Sequence, residues 1–239
     1  MTAKVILWFR NDLRLSDNPA LAKAVQIGDI LPIYIYDDAN PVDAEPGSAS
    51  RVWLHHSLDK LNQSLDGHLA LFRGDPVEII PKIVQKYEIS HVNWNRQYEP
   101  WAMQRDTTVK KYLKDSGVNV ESHNGSLLWE PRDINKADGT PYRVFTPFYR
   151  KGCLNAAEPR VPKPAPIITK YVKHQEHSTI ESIGLLPETA WHQPMLDHWE
   201  IGEKGAQKRL EAFIKNGIHQ YKEGRNFPSK PYVSYISPH

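Results

Sequence analysis

The sequence predicts an α/β fold in which a doubly wound sheet of five parallel strands is followed by a long linker and the start of an all-α domain. In the first 125 residues, short β-branched or aromatic runs alternate with longer segments of helical periodicity, as in parallel sheets with crossover helices. Prolines crowd the stretch 159–166, and proline suits neither a helix interior nor a central strand. Helical periodicity returns from residue 204. We therefore expect an α/β domain over 1–130, an interdomain linker over 131–203 and the beginning of a truncated helical domain over 204–239.

The helices of the first region are indicated by caps as well as by periodicity. Asn18 can cap a helix that has Pro19 at its first position, where a missing N–H costs nothing. Asp75 can do the same before a second proline. Two further helices are expected at 48–65 and 99–113. The residues predicted to face the core are Leu54, Leu58, Leu61 and Leu65 of the first of these and Val109, Tyr112 and Leu113 of the other. The predicted strands are 5–9, 31–36, 69–72, 91–95 and 119–122.

Composition restricts the function classes. The chain of 239 residues has 24% charged residues and no apolar run long enough to span a bilayer, so no membrane association is expected. Its single cysteine, Cys153, excludes an intrachain disulfide and a four-cysteine zinc site, and its 11 histidines are scattered. These features predict a cytoplasmic protein without a metal site. A net charge of +2 without a dense basic stripe indicates that this region is not the main surface for duplex DNA.

In a Rossmann-like sheet, ligands bind beyond the carboxyl ends of the strands, near the point where the strand order reverses. The loop after the first predicted strand, 10–14, contains no glycine, which argues against a dinucleotide-binding dehydrogenase. Its alternating charges predict a solvated or internally salt-bridged loop. The loop at 95–101 combines amide, cationic and aromatic groups, a mixture that suits a flat conjugated ligand. The alternative for this loop is a simple helix start at which Glu99 interacts favourably with the dipole.

The sequence contains no recognisable catalytic set. Paired carboxylates in a known frame, a Gly-x-Ser-x-Gly elbow and a Gly-x-x-x-x-Gly-Lys phosphate loop are all absent from it. From the residues alone, the prediction is an α/β domain with a pocket that is partly polar and partly apolar.

Five segments, in order along the chain, give a resemblance to a known family. They are 8–18 (Trp-Phe-Arg-Asn-Asp-Leu-Arg-Leu-Ser-Asp-Asn), 95–106, 142–148, 202–213 and 225–228. Together they resemble the DNA photolyase/cryptochrome family. That resemblance implies an antenna domain that holds a light-harvesting pigment, followed by a helical domain that binds FAD. In the family, the excited reduced flavin donates an electron to a cyclobutane pyrimidine dimer flipped out of the DNA duplex, which requires no hydrolytic residues.

The resemblance also implies positions for the pigment. A deazaflavin-type pocket would use Tyr34, Asp37 and Arg51, with Gln97 where an aspartate is expected. Folate-binding relatives carry Asn-Glu where this chain has Trp101-Ala102. The pigment therefore stays open among methenyltetrahydrofolate, a deazaflavin, a flavin and none. The residues assigned to cofactor binding in this domain are Tyr34, Asp37, Arg51, Gln97 and Glu99.

For FAD, the resemblance points to Tyr221 and to the hydroxyls of Ser234 and Ser237. The rest of a flavin pocket and the DNA groove would lie beyond this chain. We therefore expect apolar surface to be exposed over 204–221, the isolated chain to associate and repair activity to be lacking. The complete protein is expected to be a monomer that binds UV-damaged DNA through its helical domain.

Three functions remain open at this point. The resemblance favours a photolyase, a carbon–carbon lyase that repairs cyclobutane pyrimidine dimers, of which this chain is the pigment-binding portion. One alternative is a cryptochrome-type blue-light receptor, which shares both domains but signals instead of repairing. The other is a free-standing pigment- or nucleotide-binding module. Against this alternative, the final residues of such a module would lack a packing partner.

Overall fold

The computed structural model describes residues 2–38, 45–174, 178–227 and 229–237. Five strands within these ranges form one parallel sheet, in the order β3-β2-β1-β4-β5. The strand order reverses between β1 and β4, as in doubly wound folds. The predicted α/β architecture is confirmed. The strands are β1 (Ala3–Phe9), β2 (Gly28–Tyr36), β3 (Ala70–Arg73), β4 (His91–Asn95) and β5 (Asn119–His123).

Helices cover both faces of the sheet. Because side chains alternate along a strand, β1 sends Val5, Leu7 and Phe9 to one face and Ile6 and Trp8 to the other. The first set packs against α1 and α2, and the second against α3 and α4. The crossover helices are α1 (Pro19–Ile27), α2 (Ser48–Ser64), α3 (Pro76–Tyr87) and α4 (Pro100–Asp115).

Both predicted caps are confirmed. The Asn18 side chain accepts a hydrogen bond from the Leu21 N–H at 3.0 Å, and Asp75 accepts from the Val77 N–H at 2.8 Å. Of the four leucines predicted to face the core, three are buried and Leu54 is partly buried against the same cluster.

The inward placement of Tyr112 was wrong, because its side chain is 53% exposed. Val109 and Leu113, four residues apart, form the buried stripe of α4. Tyr112 is rotated about 100° from Leu113 on the helix and lies outside that stripe.

The segment predicted to be a linker packs on the α/β domain. The Val172 N–H donates to the Ile30 carbonyl at 2.9 Å, and the Ser178 N–H donates to the Leu71 carbonyl at 2.6 Å, so the segment adds bridges to β2 and β3. Val172, Ile183 and Leu185 are buried in the core. The division into three regions stays a prediction. The segment's short elements are 3-10 helices at Pro131–Asp133, Cys153–Asn155 and Glu181–Ile183, a π turn at Phe148–Gly152, and α5 (Phe145–Pro147) and α6 (Gln193–Leu196).

The last part of the chain is helical, as predicted. It comprises α7 (Glu203–Asn216), a 3-10 turn at Ile218–Gln220 and α8 (Tyr221–Gly224). The Glu203 carboxylate accepts hydrogen bonds from the N–H groups of Leu15 (2.8 Å) and Ser16 (2.9 Å), which ties α7 to the loop after β1. No helix within the described ranges is both long and apolar enough to cross a membrane. The expected apolar surface over 204–221 is exposed at Leu210, Ile214, Ile218 and Tyr221.

Gly28 offers a test of the junction between α1 and β2. The strand starts directly after the helix, and Gly28 pairs with Ala3 of β1. A Cβ at this position would lie 1.9 Å from the Ala3 carbonyl oxygen. Gly28→Ala is therefore expected to lower the free energy of unfolding by about 2 kcal/mol, measured by urea denaturation followed by circular dichroism.

The control for this substitution is Gly47→Ala. A Cβ at Gly47 would meet nothing within 4 Å, so only the small penalty of alanine at a helix start applies, less than about 1 kcal/mol. Equal losses in the two variants would contradict the close approach at Gly28.

Candidate functional site

A cavity of about 550 Å³ opens at the carboxyl ends of β1, β2 and β4, where the strand order reverses. We call it the switch-point cavity. Its volume is within the usual range for small-molecule sites, and its place is where doubly wound folds bind ligands. The walls are formed by Arg10, Asn11, Tyr34, Ile35, Tyr36, Asp37, Pro46, Ser50, Leu54, Gln97, Glu99, Trp101 and Arg105.

The structure brings four of the predicted pigment residues to this one cavity: Tyr34, Asp37, Gln97 and Glu99. The fifth, Arg51, lines a neighbouring cavity of about 230 Å³ that shares Asp37 with the first. The Arg51 guanidinium donates to the Pro46 carbonyl and to the Ser48 hydroxyl, both at 3.3 Å, so it points toward the start of its own helix.

The predicted FAD residues lie in the last part of the chain. The Tyr221 ring packs edge-on against Phe213, with 5.4 Å between ring centroids, and lies beside the Arg225 guanidinium. Ser234 is partly buried and Ser237 is exposed. These three side chains line neither of the two cavities described above.

Tyr34 presents a neutral phenol at the cavity. It is 8% exposed, and burial raises the pKa of its hydroxyl, an effect strengthened by Tyr36 and Asp37. The hydroxyl therefore stays protonated at any physiological pH and can both donate and accept a hydrogen bond.

Arg105 organises the cavity, although the residue-level reasoning did not select it. Its guanidinium donates to Asp37 Oδ2 at 2.8 Å and to Gln97 Oε1 at 2.8 Å. The same group lies 5.0 Å from the Trp8 ring centroid and 5.2 Å from that of Trp101. It thus fixes two predicted pigment residues at once. The sequence feature that could have indicated Arg105 is its position one turn after Trp101 on α4, inside the family-like segment 95–106.

Asp106 holds Arg105 in place and also pairs with Arg10. Its Oδ2 accepts from Arg10 Nη1 at 2.7 Å, and its Oδ1 accepts from Arg105 Nη2 at 2.9 Å. Arg10 is only 5% exposed. Burial lowers the pKa of its guanidinium, and the Asp106 charge opposes that shift. The loop after β1 was expected to be solvated or internally salt-bridged, whereas Arg10 is buried and forms its salt bridge with α4, outside the loop.

Asn95, at the end of β4, fixes the rest of that loop. Its amide nitrogen donates to Asp12 Oδ2 at 2.6 Å and to Asn18 Oδ1 at 2.8 Å. Its oxygen accepts from the Ala20 N–H at 3.2 Å. The polar residues of the first family-like segment therefore act largely as a scaffold for the cavity.

The cavity combines flat and polar groups. Trp101 and Tyr36 supply rings, Tyr34 and Gln97 can donate or accept, and Glu99 can accept. This combination suits a conjugated ligand with hydrogen-bonding groups at its edge. Within the described part of the chain, no group of three or more His, Cys, Asp or Glu side chains could hold a metal ion.

Comparison with known proteins decides the family. The family model described as DNA photolyase matches residues 5–166, which is more than half of the chain. The chain belongs to the DNA photolyase family. The resemblance seen in the sequence is thereby confirmed.

Two curated relatives illustrate the range of this photolyase family. The chain is 40% identical over 245 residues to a deoxyribodipyrimidine photo-lyase of Agrobacterium fabrum, covering 100% of this chain and 50% of the relative. It is 33% identical over 249 residues to cryptochrome-2 of Arabidopsis thaliana, covering 100% of this chain and 40% of the relative. The chain thus spans about half the length of the curated relatives it matches.

Solved structures agree with the photolyase fold. A bacterial class III photolyase from Agrobacterium tumefaciens superposes with a TM-score of 0.92 at 40% identity, over 100% of this chain and 50% of the other. An archaeal photolyase from Sulfolobus tokodaii, solved with two FAD molecules, superposes with a TM-score of 0.75 at 20% identity, over 99% of this chain and 51% of the other. At that identity the second comparison shows the fold alone.

Asp106→Asn tests the ion pairs beneath the cavity. The substitution removes the salt bridge of the buried Arg10, so we expect the free energy of unfolding to fall by about 3 kcal/mol or more. Urea denaturation followed by tryptophan fluorescence measures the change. Asp115→Asn, at the exposed end of the same helix, should leave stability unchanged or slightly higher, because a carboxylate there opposes the helix dipole. Similar stabilities of the two variants would show that the pairs contribute little.

Proposed function

We propose that this chain is the antenna portion of a deoxyribodipyrimidine photolyase, which repairs cyclobutane pyrimidine dimers in DNA with light. The observation that supports it most is the switch-point cavity, in which Tyr34, Asp37, Gln97 and Glu99 come together around Arg105. The chain alone is not proposed to repair DNA, since its relatives are about twice as long.

The residues of the cavity fit a flat antenna pigment. The pigment, when bound, supplies light absorption and passes the energy to a reduced flavin. The rings of Trp101 and Tyr36 would cover its faces and exclude water. Tyr34 and Gln97 would hydrogen-bond its edge. Because Asp37 is already paired with Arg105, a neutral or weakly charged ring system is accommodated without a further counter-ion.

The identity of the pigment is left to experiment, with methenyltetrahydrofolate, a deazaflavin and a flavin as the candidates. In the complete protein, Tyr221, Ser234 and Ser237 are proposed to contact FAD, because the family resemblance points to these positions. UV-damaged DNA is proposed to bind through the helical domain. The complete protein is proposed to be a cytoplasmic monomer.

A cryptochrome-type blue-light receptor is the second candidate. It is favoured by the 33% identity to cryptochrome-2, which extends over the whole chain. The greater identity to the Agrobacterium photolyase, 40%, makes repair the leading proposal.

Pigment binding is tested with the purified chain. Its near-ultraviolet and visible absorption is recorded, and the chain is then titrated with each of the three candidate pigments. One pigment is expected to bind saturably. Trp101→Ala and Arg105→Met should each weaken that binding about tenfold or more, because they remove a stacking face and the group that orients Gln97.

Trp191→Ala is the matched control, since Trp191 is exposed and does not line the switch-point cavity. It should leave pigment affinity within about twofold. If none of the three pigments binds, the cavity is not an antenna site. The same conclusion follows if Trp101→Ala and Arg105→Met bind pigment as tightly as the unaltered chain does.

The exposed apolar face of α7 and α8 predicts self-association of the isolated chain, because apolar patches of this kind mark contact surfaces. Sedimentation velocity at increasing concentration should show dimers or larger species. The double variant Leu210→Glu/Ile214→Glu should sediment as a monomer. The double variant Gln207→Glu/Asn216→Asp adds the same charge at exposed polar positions and should associate like the unaltered chain. A monomeric unaltered chain at high concentration would contradict the prediction.

A further inference from the structure

A second cavity, of about 400 Å³, lies between α4 and the turn at Pro131–Asp133. We call it the α4 cavity. It shares only Gln97 with the switch-point cavity. We propose that the α4 cavity binds a small aromatic organic anion, a flat ring system that carries a carboxylate or a similar group.

The carboxylates at the α4 cavity already have cationic partners. Glu130 Oε1 accepts from Arg96 Nη2 at 2.6 Å and from the Tyr98 hydroxyl at 3.0 Å. Asp106 is shared between Arg10 and Arg105, as described above. The negative charge of the walls is therefore compensated within the protein and does not repel an incoming anion.

Lys110 is a cation at the α4 cavity that forms no direct ion pair with a described carboxylate. Its ammonium donates to the Ser122 hydroxyl at 3.3 Å, and among the described residues no carboxylate lies within ion-pair distance of it. Burial lowers the pKa of the Lys110 ammonium, the charges of Lys114 and Arg96 lower it further, and the charge of Asp106, which is not in direct contact, opposes these shifts. An ammonium has three N–H donors, so this one has donors and charge available for an anion.

Part of the wall of the α4 cavity is apolar. Trp94, which is 1% exposed, closes its inner end, and Met103 and Pro131 lie at its sides. The unbranched thioether of Met103 can adapt to the shape of a bound ring. An inorganic anion would satisfy Lys110 but leave these walls exposed to water. A neutral apolar molecule would cover the walls but leave the ammonium without a counter-ion. Only a ligand that has both an anionic group and an apolar ring system satisfies Lys110 and covers the apolar walls.

The cavity's size agrees with such a ligand. Sites for small molecules occupy about 300–1,000 Å³ and combine apolar walls with a few polar groups. The volume of about 400 Å³ is near the lower end of that range, which suits a two-ring acid. The α4 cavity is formed by residues of β4, α4, β5, the Pro131–Asp133 turn and the adjoining loops, and binding there does not require the pigment proposed for the switch-point cavity.

Isothermal titration calorimetry on the full chain tests the proposal, with 2-naphthoate as the probe and 2-naphthalenemethanol as its uncharged counterpart. The acid is expected to bind saturably and about tenfold more tightly than the alcohol, since hydrogen bonds to charged groups contribute about that much. Lys110→Gln should weaken binding of the acid about tenfold and leave that of the alcohol unchanged. Lys111→Gln removes the neighbouring exposed charge and should change neither.

A second variant tests whether the probes bind in the α4 cavity, by filling the cavity instead of removing a charge. Thr107 is an exposed residue that lines the α4 cavity, and Thr107→Phe should fill the space and abolish binding of both probes while the near-ultraviolet circular dichroism stays native-like. The proposal is overturned by an absence of saturable binding, by equal affinity for acid and alcohol, by equal effects of the Lys110 and Lys111 substitutions, or by unaltered binding in Thr107→Phe.

Discussion

The carboxylate of Asp106 holds together the end of the sheet at which both cavities lie. Each of its oxygens accepts a hydrogen bond from a different arginine, Arg10 on one side and Arg105 on the other. Two guanidinium groups brought this close repel each other, and Arg105 indeed lowers the pKa of Arg10. Asp37, paired with Arg105, supplies the second negative charge. The four groups form a compensated set of two cations and two anions, which is the condition under which buried charges are tolerated.

This charge set connects the described parts of the loops around the switch-point cavity. Arg10 belongs to the loop after β1 and Asp37 to the loop after β2. Their partners, Asp106 and Arg105 respectively, both extend from α4. Asn95 adds a fourth connection, from the end of β4 to the loop after β1. Binding then requires little reorganisation, and the ordering cost that would weaken a ligand's affinity has been met during folding. Glu203 extends the connections to α7, because it accepts from two N–H groups of the same loop.

The parts of this structure that the sequence predicts are those with local causes. Three predicted features depend on neighbours within a turn or two: the strand-like and helical segments themselves, the caps at Asn18 and Asp75, and the leucine stripe of α2. The structure shows all of them. Tyr112 was misplaced because helical spacing alone does not give the width of the buried stripe. The hydrogen bond from Val172 to Ile30 was not predicted, because it joins residues too distant in sequence for any local pattern to show. The roles of Arg105 and Lys110 have the same origin, since each is defined by partners on other elements.

The two cavities share one lining residue, Gln97, which would connect the proposed ligands of the two cavities. The oxygen of Gln97 accepts from Arg105 on the side of the switch-point cavity, while the same residue lines the α4 cavity. A ligand that drew this amide toward Lys110 would remove an acceptor from Arg105, which would then depend more on Asp37 and Asp106. A ligand in the switch-point cavity that hydrogen-bonds Gln97 would hold the Gln97 amide away from the α4 cavity. Because coupling between two binding sites is reciprocal, each of the two proposed ligands would change the affinity of the other by the same factor, through an amide held by Arg105 of the Asp106 charge set.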